Sequence, residues 1–223
     1  MAICKLCGVK GFFLKLSSEG LCQRCSIVCS STVADSVRII NDSLGIIKSS
    51  KNLDTILSRI DLVRDRATLM LPYEEKDIAT MTPLPSLIIS ESYNLEIKAI
   101  EKYMENTSAE AMLKSKAAKT TKTKIAPLVK ALVKIKERER HVLSSQFINN
   151  YAKPIEELIS NLQLSEHLEK ARLAEFKNQT KKALDYYYNA LYFIRHDDIS
   201  DENQAREIDA IEKKILELGG ELK

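Results

Sequence analysis

The sequence predicts a mainly α-helical protein that begins with a small β-hairpin or knuckle module and continues as helical hairpins or a helical bundle. Of its 223 residues, 44% are hydrophobic and 29% are charged, which is typical of a folded globular chain. Six glycines and five prolines are too few for the many tight turns of an all-β protein. Four of the five cysteines and three of the six glycines lie in the first 25 residues, so this part differs from all that follows.

The N-terminal segment predicts a short strand, and helical periodicity starts after it. Residues 11–16 read as the strand, and 17–20 as its turn. A first helix over 26–48 carries an apolar stripe whose members recur every three or four residues: Val33, Val37, Ile40, Leu44 and Ile47. Asn52 is a good cap for a second helix, which should pack on the first as a hairpin.

The chain is predicted to have three parts. The first is an N-terminal module over 1–31, followed by a helical hairpin over 32–80 and a helical domain over 86–223. Between the last two, 81–85 is a linker with two prolines.

Three local signals subdivide the helical domain. The polar run 120–124 is interpreted as a connection, with Pro127 at the start of the next helix. Pro154 is expected to introduce a kink or a new helix start. Ser165 is expected to cap a segment that begins another helical hairpin.

Two CxxC pairs form the strongest motif in the chain. Cys4 and Cys7 are separated from Cys22 and Cys25 by 14 residues. Two such pairs offer four thiolates in a tetrahedral set, which Zn²⁺ prefers. A disulfide framework and a redox-active CxxC are the alternatives. The first requires an oxidising compartment, for which the N-terminus carries no secretion signal, and the second requires a βαβ context that is absent. A structural zinc site is therefore predicted, with Cys29 as a buried thiol or a spare ligand.

The cysteine-rich segment resembles the treble-clef and zinc-ribbon families. The resemblance rests on residues 4–8, 12–14 and 20–25, about the first ninth of the chain. It implies a knuckle, a short hairpin and a second CxxC pair in the first turn of a helix. Those families include nucleic-acid binders, ubiquitin-system proteins and purely structural modules, so the resemblance implies a metal and a local fold but no single activity.

A second resemblance lies near the C-terminus. Over about 165–196, Ala183 and Ala190 bracket Tyr187, as small residues bracket an aromatic in the second half of a tetratricopeptide repeat. No second copy follows at that period, so the resemblance implies a single TPR-like hairpin. Tyr186, Tyr187, Tyr188 and Tyr192 are candidates for a protein-partner surface, and core packing is the alternative. The whole arrangement also looks like uncharacterised proteins of low-GC bacteria and their phages, which implies no known activity.

Positive charge is concentrated in one segment. The formal net charge is +3, but residues 113–140 hold ten basic and two acidic side chains. The candidate nucleic-acid contacts of this basic segment (114–140) are Lys114, Lys116, Lys119, Lys122, Lys124, Lys130 and Lys134. A lysine-rich stretch without aromatic residues suits sequence-independent phosphate contact. A solvated helix face is the alternative interpretation.

These observations favour a non-enzymatic interaction protein. No phosphate loop, nucleophile motif or metalloprotease motif is present, and four cysteine ligands would leave no open position on zinc. We expect an intracellular, cytoplasmic protein that binds another protein as an adaptor, inhibitor or scaffold. Nucleic-acid association through the basic segment is the alternative. No membrane association is expected, because the longest unbroken apolar run is far shorter than a span.

Overall fold

A computed structural model of the chain describes residues 1–138, 145–196 and 201–222. It confirms the predicted fold class, since helices dominate and the only strands in the described part are two short ones near the N-terminus. In chain order the elements are β1 (Ala2–Ile3), β2 (Lys10–Gly11), α1 (Gln23–Ser49), α2 (Leu53–Thr68), α3 (Leu71–Glu74), α4 (Pro85–Ala117), α5 (Thr121–Lys136), α6 (Ser145–Phe176), α7 (Thr180–Arg195) and α8 (Asp201–Glu217). No helix among the described residues is both long and apolar enough to cross a membrane.

Contacts divide the chain into two compact units. The first unit is Met1–Tyr103 and the second is Met104–Lys223. The boundary therefore falls within α4.

The N-terminal segment forms two very short antiparallel pairs. In the first, β1 pairs with β2, with Ala2 opposite Gly11. In the second, a single bridge joins Leu16 to Cys22. The predicted strand over 11–16 is wrong, because the chain bends directly after Gly11 and only the ends of that stretch are paired.

The first helical hairpin forms as predicted. Asn52 caps α2, since its side-chain oxygen accepts a hydrogen bond of 2.9 Å from the backbone N–H of Thr55. The fully buried face of α1 is Cys29, Ser36, Ile40 and Ser43. Because Ser36 and Ser43 are small, the two helices can approach each other closely along this face.

The N-terminal module shares one hydrophobic core with the helices of the first unit. Buried side chains of the two parts lie in the same cluster: Cys4, Leu21, Cys29, Ile40, Val63, Ala67, Met70, Tyr73, Ile78 and Ile88. Val33, Leu44 and Ile47 of the predicted stripe pack on it from α1. Burial of apolar surface is the main stabilising term in such a core. The module is therefore a layer of the first unit rather than a free appendage.

Polar contacts join the N-terminal module to the residues that follow α3. The ammonium group of Lys76 donates to the backbone oxygen of Leu6 at 2.6 Å. The backbone N–H of Ala79 donates to a carboxylate oxygen of Glu19 at 3.3 Å. These contacts fix the N-terminal module against the segment that follows α3.

One arginine links α2 to α4. The guanidinium of Arg64 donates to Glu96 at 2.6 Å, to Asp61 at 3.0 Å and to the hydroxyl of Ser92 at 3.1 Å. It also lies over the ring of Tyr93, 4.1 Å from the centroid. Arg64 and Glu96 are each only about a fifth exposed, so their ion pair is weakly screened. The planar guanidinium makes all of these contacts at once.

The second unit begins α5 earlier than predicted. Residues 120–124 do not form a connection: Thr120 caps the helix and forms a reciprocal capping box with Thr123. Pro127 accordingly lies inside α5 and not at its start. Proline has no N–H, so α5 lacks the hydrogen bond that residue 127 would otherwise donate to the carbonyl of residue 123.

The long helix α6 is also continuous where a new start was expected. Pro154 and Ser165 both lie inside it, so Ser165 is not a helix cap. Burial of Ile155 and Leu164 along the same helix favours continuation over a break. Helix α7 follows after three residues and packs on α6, and α8 packs on α7. Their shared core is formed by Leu164, Ala171, Tyr187, Ala190, Leu191, Ile194, Ile208, Ile211 and Ile215.

We predict that Arg64→Lys lowers the free energy of unfolding of the first unit by about 1–2 kcal/mol, because an ammonium group cannot keep all three partners and the ring contact. Arg38 is the matched control, since it is 66% exposed and its carboxylate partners lie at 3.7 and 3.9 Å. Arg38→Lys should cost less than about 0.5 kcal/mol. Urea denaturation followed by circular dichroism measures both. Equal effects of the two substitutions would contradict the prediction.

Candidate metal centre

The two CxxC pairs meet at one point in the first unit. The Sγ atoms of Cys4, Cys7, Cys22 and Cys25 all lie within 4.8 Å of one another. The Sγ atoms of Cys7 and Cys22 are 3.9 Å apart. All four are free thiols, as is Cys29. The structure therefore contains no disulfide among its five cysteines.

The first pair is held by the turn between β1 and β2. The backbone N–H of Gly8 donates to the carbonyl of Cys4 at 2.9 Å, and that of Cys4 donates to Val9 at 3.0 Å. Gly8 has a φ of +72°, a conformation that glycine adopts without strain. The turn thus brings Cys4 and Cys7 to the same side of the backbone.

The second pair is held by the start of α1. Cys22 occupies the N-cap position, and Cys25 lies in the first turn of the helix. The backbone N–H of Cys22 also donates to the sulfur of Cys4 at 3.3 Å, which joins the two pairs. A knuckle, a short hairpin and a helix start are therefore the three elements that bring the four sulfurs together.

The thiols of the site have unequal proton affinities. Backbone N–H groups of Cys7 and Cys22 stabilise a thiolate at Cys4 and lower the pKa of that thiol to about 6. Burial, together with the neighbouring thiols, raises the pKa of Cys25 to about 12. Four thiolates this close repel one another, so a cation at their centre is what would keep all four ionised.

The donor set fits a four-coordinate thiolate-binding ion. Bonds of about 2.3 Å to a central Zn²⁺ place tetrahedral sulfurs about 3.8 Å apart. The observed separations, 3.9 Å for the Cys7–Cys22 pair and no more than 4.8 Å for any, need only a small contraction. These residues can therefore hold a metal ion with all four positions filled by sulfur.

Cys29 lies outside the four-sulfur group. It is one helical turn beyond Cys25, buried in the shared core of the first unit. Burial, and to a lesser extent the nearby charge of Glu19, raises the pKa of its thiol. Its position matches the buried-thiol alternative.

The lysines predicted for nucleic-acid contact do not all line one groove. Lys114, Lys130 and Lys134 line a groove of about 170 Å³ between α4 and α5, beside Glu110. Lys114 pairs with Glu110 in the same groove, so part of the charge is used internally. The remaining predicted residues follow the chain from the end of α4 into the first turn of α5 and do not line the groove: Lys116, Lys119, Lys122 and Lys124. Residues 139 and 140 of the basic segment lie outside the described residues.

The four tyrosines have different environments. Tyr187 is buried in the core of the second unit and donates to Glu175 at 3.0 Å. Tyr186 packs partly against the same core. The hydroxyl of Tyr188 is bonded to both backbone groups of Glu221 at 2.9 Å. Tyr192 is 66% exposed, so it is the member of this group most available to a partner.

The N-terminal module carries an exposed aromatic pair. By hydrophobicity alone Phe12 and Phe13 would be core residues, but they are 84% and 99% exposed. Cys4 and Leu21 fill that core instead. The sequence carried one sign of this exposure. A strand with one buried face alternates polar and apolar residues, whereas Lys10 and Lys15 flank a segment that holds three consecutive apolar residues.

We predict one tightly bound metal ion per chain, and Cys25→Ser should lose most of it because three thiolates leave the fourth position to water. Cys29→Ser is the matched control, since it makes the same change one turn further along α1 and should retain the metal. Elemental analysis of protein purified without added metal measures both. Retention of the metal by a Cys4→Ser/Cys7→Ser variant would contradict the four-sulfur site.

No match to this chain was found among protein-family models, curated proteins or solved structures. The resemblance to treble-clef and zinc-ribbon proteins therefore stays a prediction from the sequence. The structure shows four cysteines that lie close enough together to hold a metal ion.

Proposed function

We propose that this chain is a non-enzymatic, zinc-binding protein of the cytoplasm that binds another protein as an adaptor, inhibitor or scaffold. The observation that carries the zinc assignment is the convergence of four sulfurs within 4.8 Å. Cys4, Cys7, Cys22 and Cys25 would hold the ion, and an S₄ donor set favours zinc among common biological metals. Reduced thiols at all five cysteines fit a reducing compartment.

The metal would have a structural role in this proposal. With four cysteine ligands the ion has no open position for water or substrate, so metal-assisted hydrolysis is not expected. Its contribution is to fix the turn after β1 against the start of α1. Since both elements contribute to the shared core of the first unit, metal binding would stabilise that unit as a whole.

Exposed apolar side chains support the protein-binding part of the proposal. Ile27 and Val28, two and three residues after Cys25 in α1, are 63% and 51% exposed. In the second unit Tyr192 is exposed on the same face of α7 as Tyr188. Large apolar and aromatic side chains of this kind are enriched at protein interfaces.

The protein-binding proposal is tested by tagging the chain and purifying it from its own cells under native conditions. We expect a protein partner to co-purify in a fixed stoichiometry. Ile27→Ser/Val28→Ser and Tyr192→Ser should each be compared with Leu69→Ser, whose side chain is half exposed at the end of α2. Loss of the partner in one of the first two variants but not in the third identifies its surface. A chain that purifies as an inert monomer would count against the proposal.

Nucleic-acid binding is retained as a second candidate because of the groove between α4 and α5. Three lysines and a single carboxylate face it, which leaves an excess of positive charge at one place. Lysines at this density suit contacts to phosphates rather than to bases. Such binding would not depend on nucleic-acid sequence.

The expected outcome for this second candidate is that Lys130→Glu/Lys134→Glu weakens oligonucleotide binding by about tenfold or more at low salt. Lys181→Glu/Lys182→Glu makes the same charge change on the exposed first turn of α7 and should have a smaller effect. Fluorescence anisotropy at two salt concentrations measures affinity and its salt dependence. Absence of binding by the unmodified protein at low salt would end this alternative.

A further inference from the structure

Phe12 and Phe13 form an exposed aromatic tip on the N-terminal module. The chain bends directly after Gly11, at Phe12 and Phe13 themselves. They are 84% and 99% exposed. Single exposed apolar residues are ordinary, but two adjacent aromatic rings without any packing partner are not.

The tip is continuous with other exposed apolar residues in sequence. Val9 and Leu16, which flank the same bend, are 46% and 36% exposed. Ile3, opposite Lys10 in the β1–β2 pair, is 49% exposed. The module therefore exposes five large apolar side chains within residues 3–16, and these form its apolar surface.

Positive charge surrounds this surface. Lys10 and Lys15 flank the two phenylalanines and are exposed. Within residues 1–18 there is no aspartate or glutamate, and Glu19 is already engaged by the backbone of Ala79. Neither Lys10 nor Lys15 has an ion-pair partner among the residues that the structure describes. The partner of the tip should therefore be negatively charged around an apolar interior.

The exposure of the rings favours a fluid partner over a rigid one. Stacking on a nucleic-acid base, or insertion into a protein pocket, fixes a ring in one orientation, and ordering a free side chain on binding costs affinity. Phe13 is 99% exposed, so nothing orders it beforehand. A lipid interface accepts an aromatic side chain in many orientations, so this cost is smaller there. A second copy of the chain is disfavoured, because two tips would bring Lys10 and Lys15 of both copies together.

We propose that the Phe12–Phe13 tip inserts into the interface of a membrane that contains anionic lipids, with Lys10 and Lys15 close to the headgroups. This is a peripheral contact, so it is compatible with the finding that no described helix could cross a membrane. No membrane association was expected from the sequence only because no apolar run is long enough to span a bilayer. The inference is independent of the proposed function, since it depends on the exposed tip and its charge and not on a protein partner.

Vesicle co-sedimentation of the full-length protein, purified with its metal, is the direct test. Vesicles of phosphatidylcholine alone are compared with vesicles containing about one third phosphatidylserine. We expect binding to the anionic vesicles that weakens at high salt, and at least a tenfold lower partition coefficient for Phe12→Ser/Phe13→Ser. Phe176→Ser is the matched control, because that ring is 85% exposed at the end of α6 and should not affect binding.

A second measurement uses the absence of tryptophan from the chain. Phe13→Trp introduces a single fluorophore at the tip, and Phe176→Trp introduces one at the control position. Anionic vesicles should shift the emission of the first variant to shorter wavelength and protect it from an aqueous quencher, while the second is unchanged. Because this readout follows the side chain itself, it does not depend on whether the serine variant folds.

Four results would overturn the inference. The first is no binding of the unmodified protein to anionic vesicles. The second is equal binding to both vesicle types, and the third is unchanged binding by Phe12→Ser/Phe13→Ser with normal metal content. The fourth is binding to a single-stranded oligonucleotide that requires Phe12 and Phe13 in the absence of vesicle binding, which would assign the tip to nucleic acid.

Discussion

The first unit depends on the convergence of four cysteine sulfurs at the edge of its hydrophobic core. Cys4 and Cys25 contact the same cluster as Ile40 and Met70, so metal ligation and helix packing are not separable there. The pKa of the partly buried Cys25 thiol is raised, so this thiol resists ionisation, whereas backbone N–H groups favour a thiolate at Cys4. A bound cation would resolve this conflict by stabilising every sulfur at once. The same ion would thereby fix the orientation of α1 relative to the turn that follows β1.

The parts of the structure that follow from local sequence signals were predictable. The CxxC spacing indicated the sulfur cluster, Asn52 indicated the start of α2, and the apolar stripe indicated the buried side of α1. The errors arose where two local signals compete. Residues 120–124 are β-branched and polar, which is unfavourable inside a helix but suitable for the capping box that starts α5. Ser165 has the chemistry of a cap but lies within a helix whose packing continues on both sides.

The sequence could not show which of its apolar and aromatic side chains enter the core, because that depends on tertiary packing. Phe12 and Phe13 look like core residues because of their hydrophobicity, but Cys4 and Leu21 supply the buried side chains of the module and both rings are exposed. Likewise, the tyrosines of α7 share a composition but not a role, since a rotation of about 100° per residue separates them onto different faces. Tyr187 enters the core and Tyr192 faces solvent.

The loop between the two CxxC pairs is held at both ends by the cysteines of the candidate metal site. The sulfurs of Cys7 and Cys22 lie 3.9 Å apart, so the chain between them leaves and returns at one place. Phe12 and Phe13 contribute almost nothing to the core. Natural variation at these two positions is therefore nearly free of folding constraint, and relatives with other side chains there would keep the same metal-binding frame. The bend is a site where new binding specificities can evolve without loss of the scaffold.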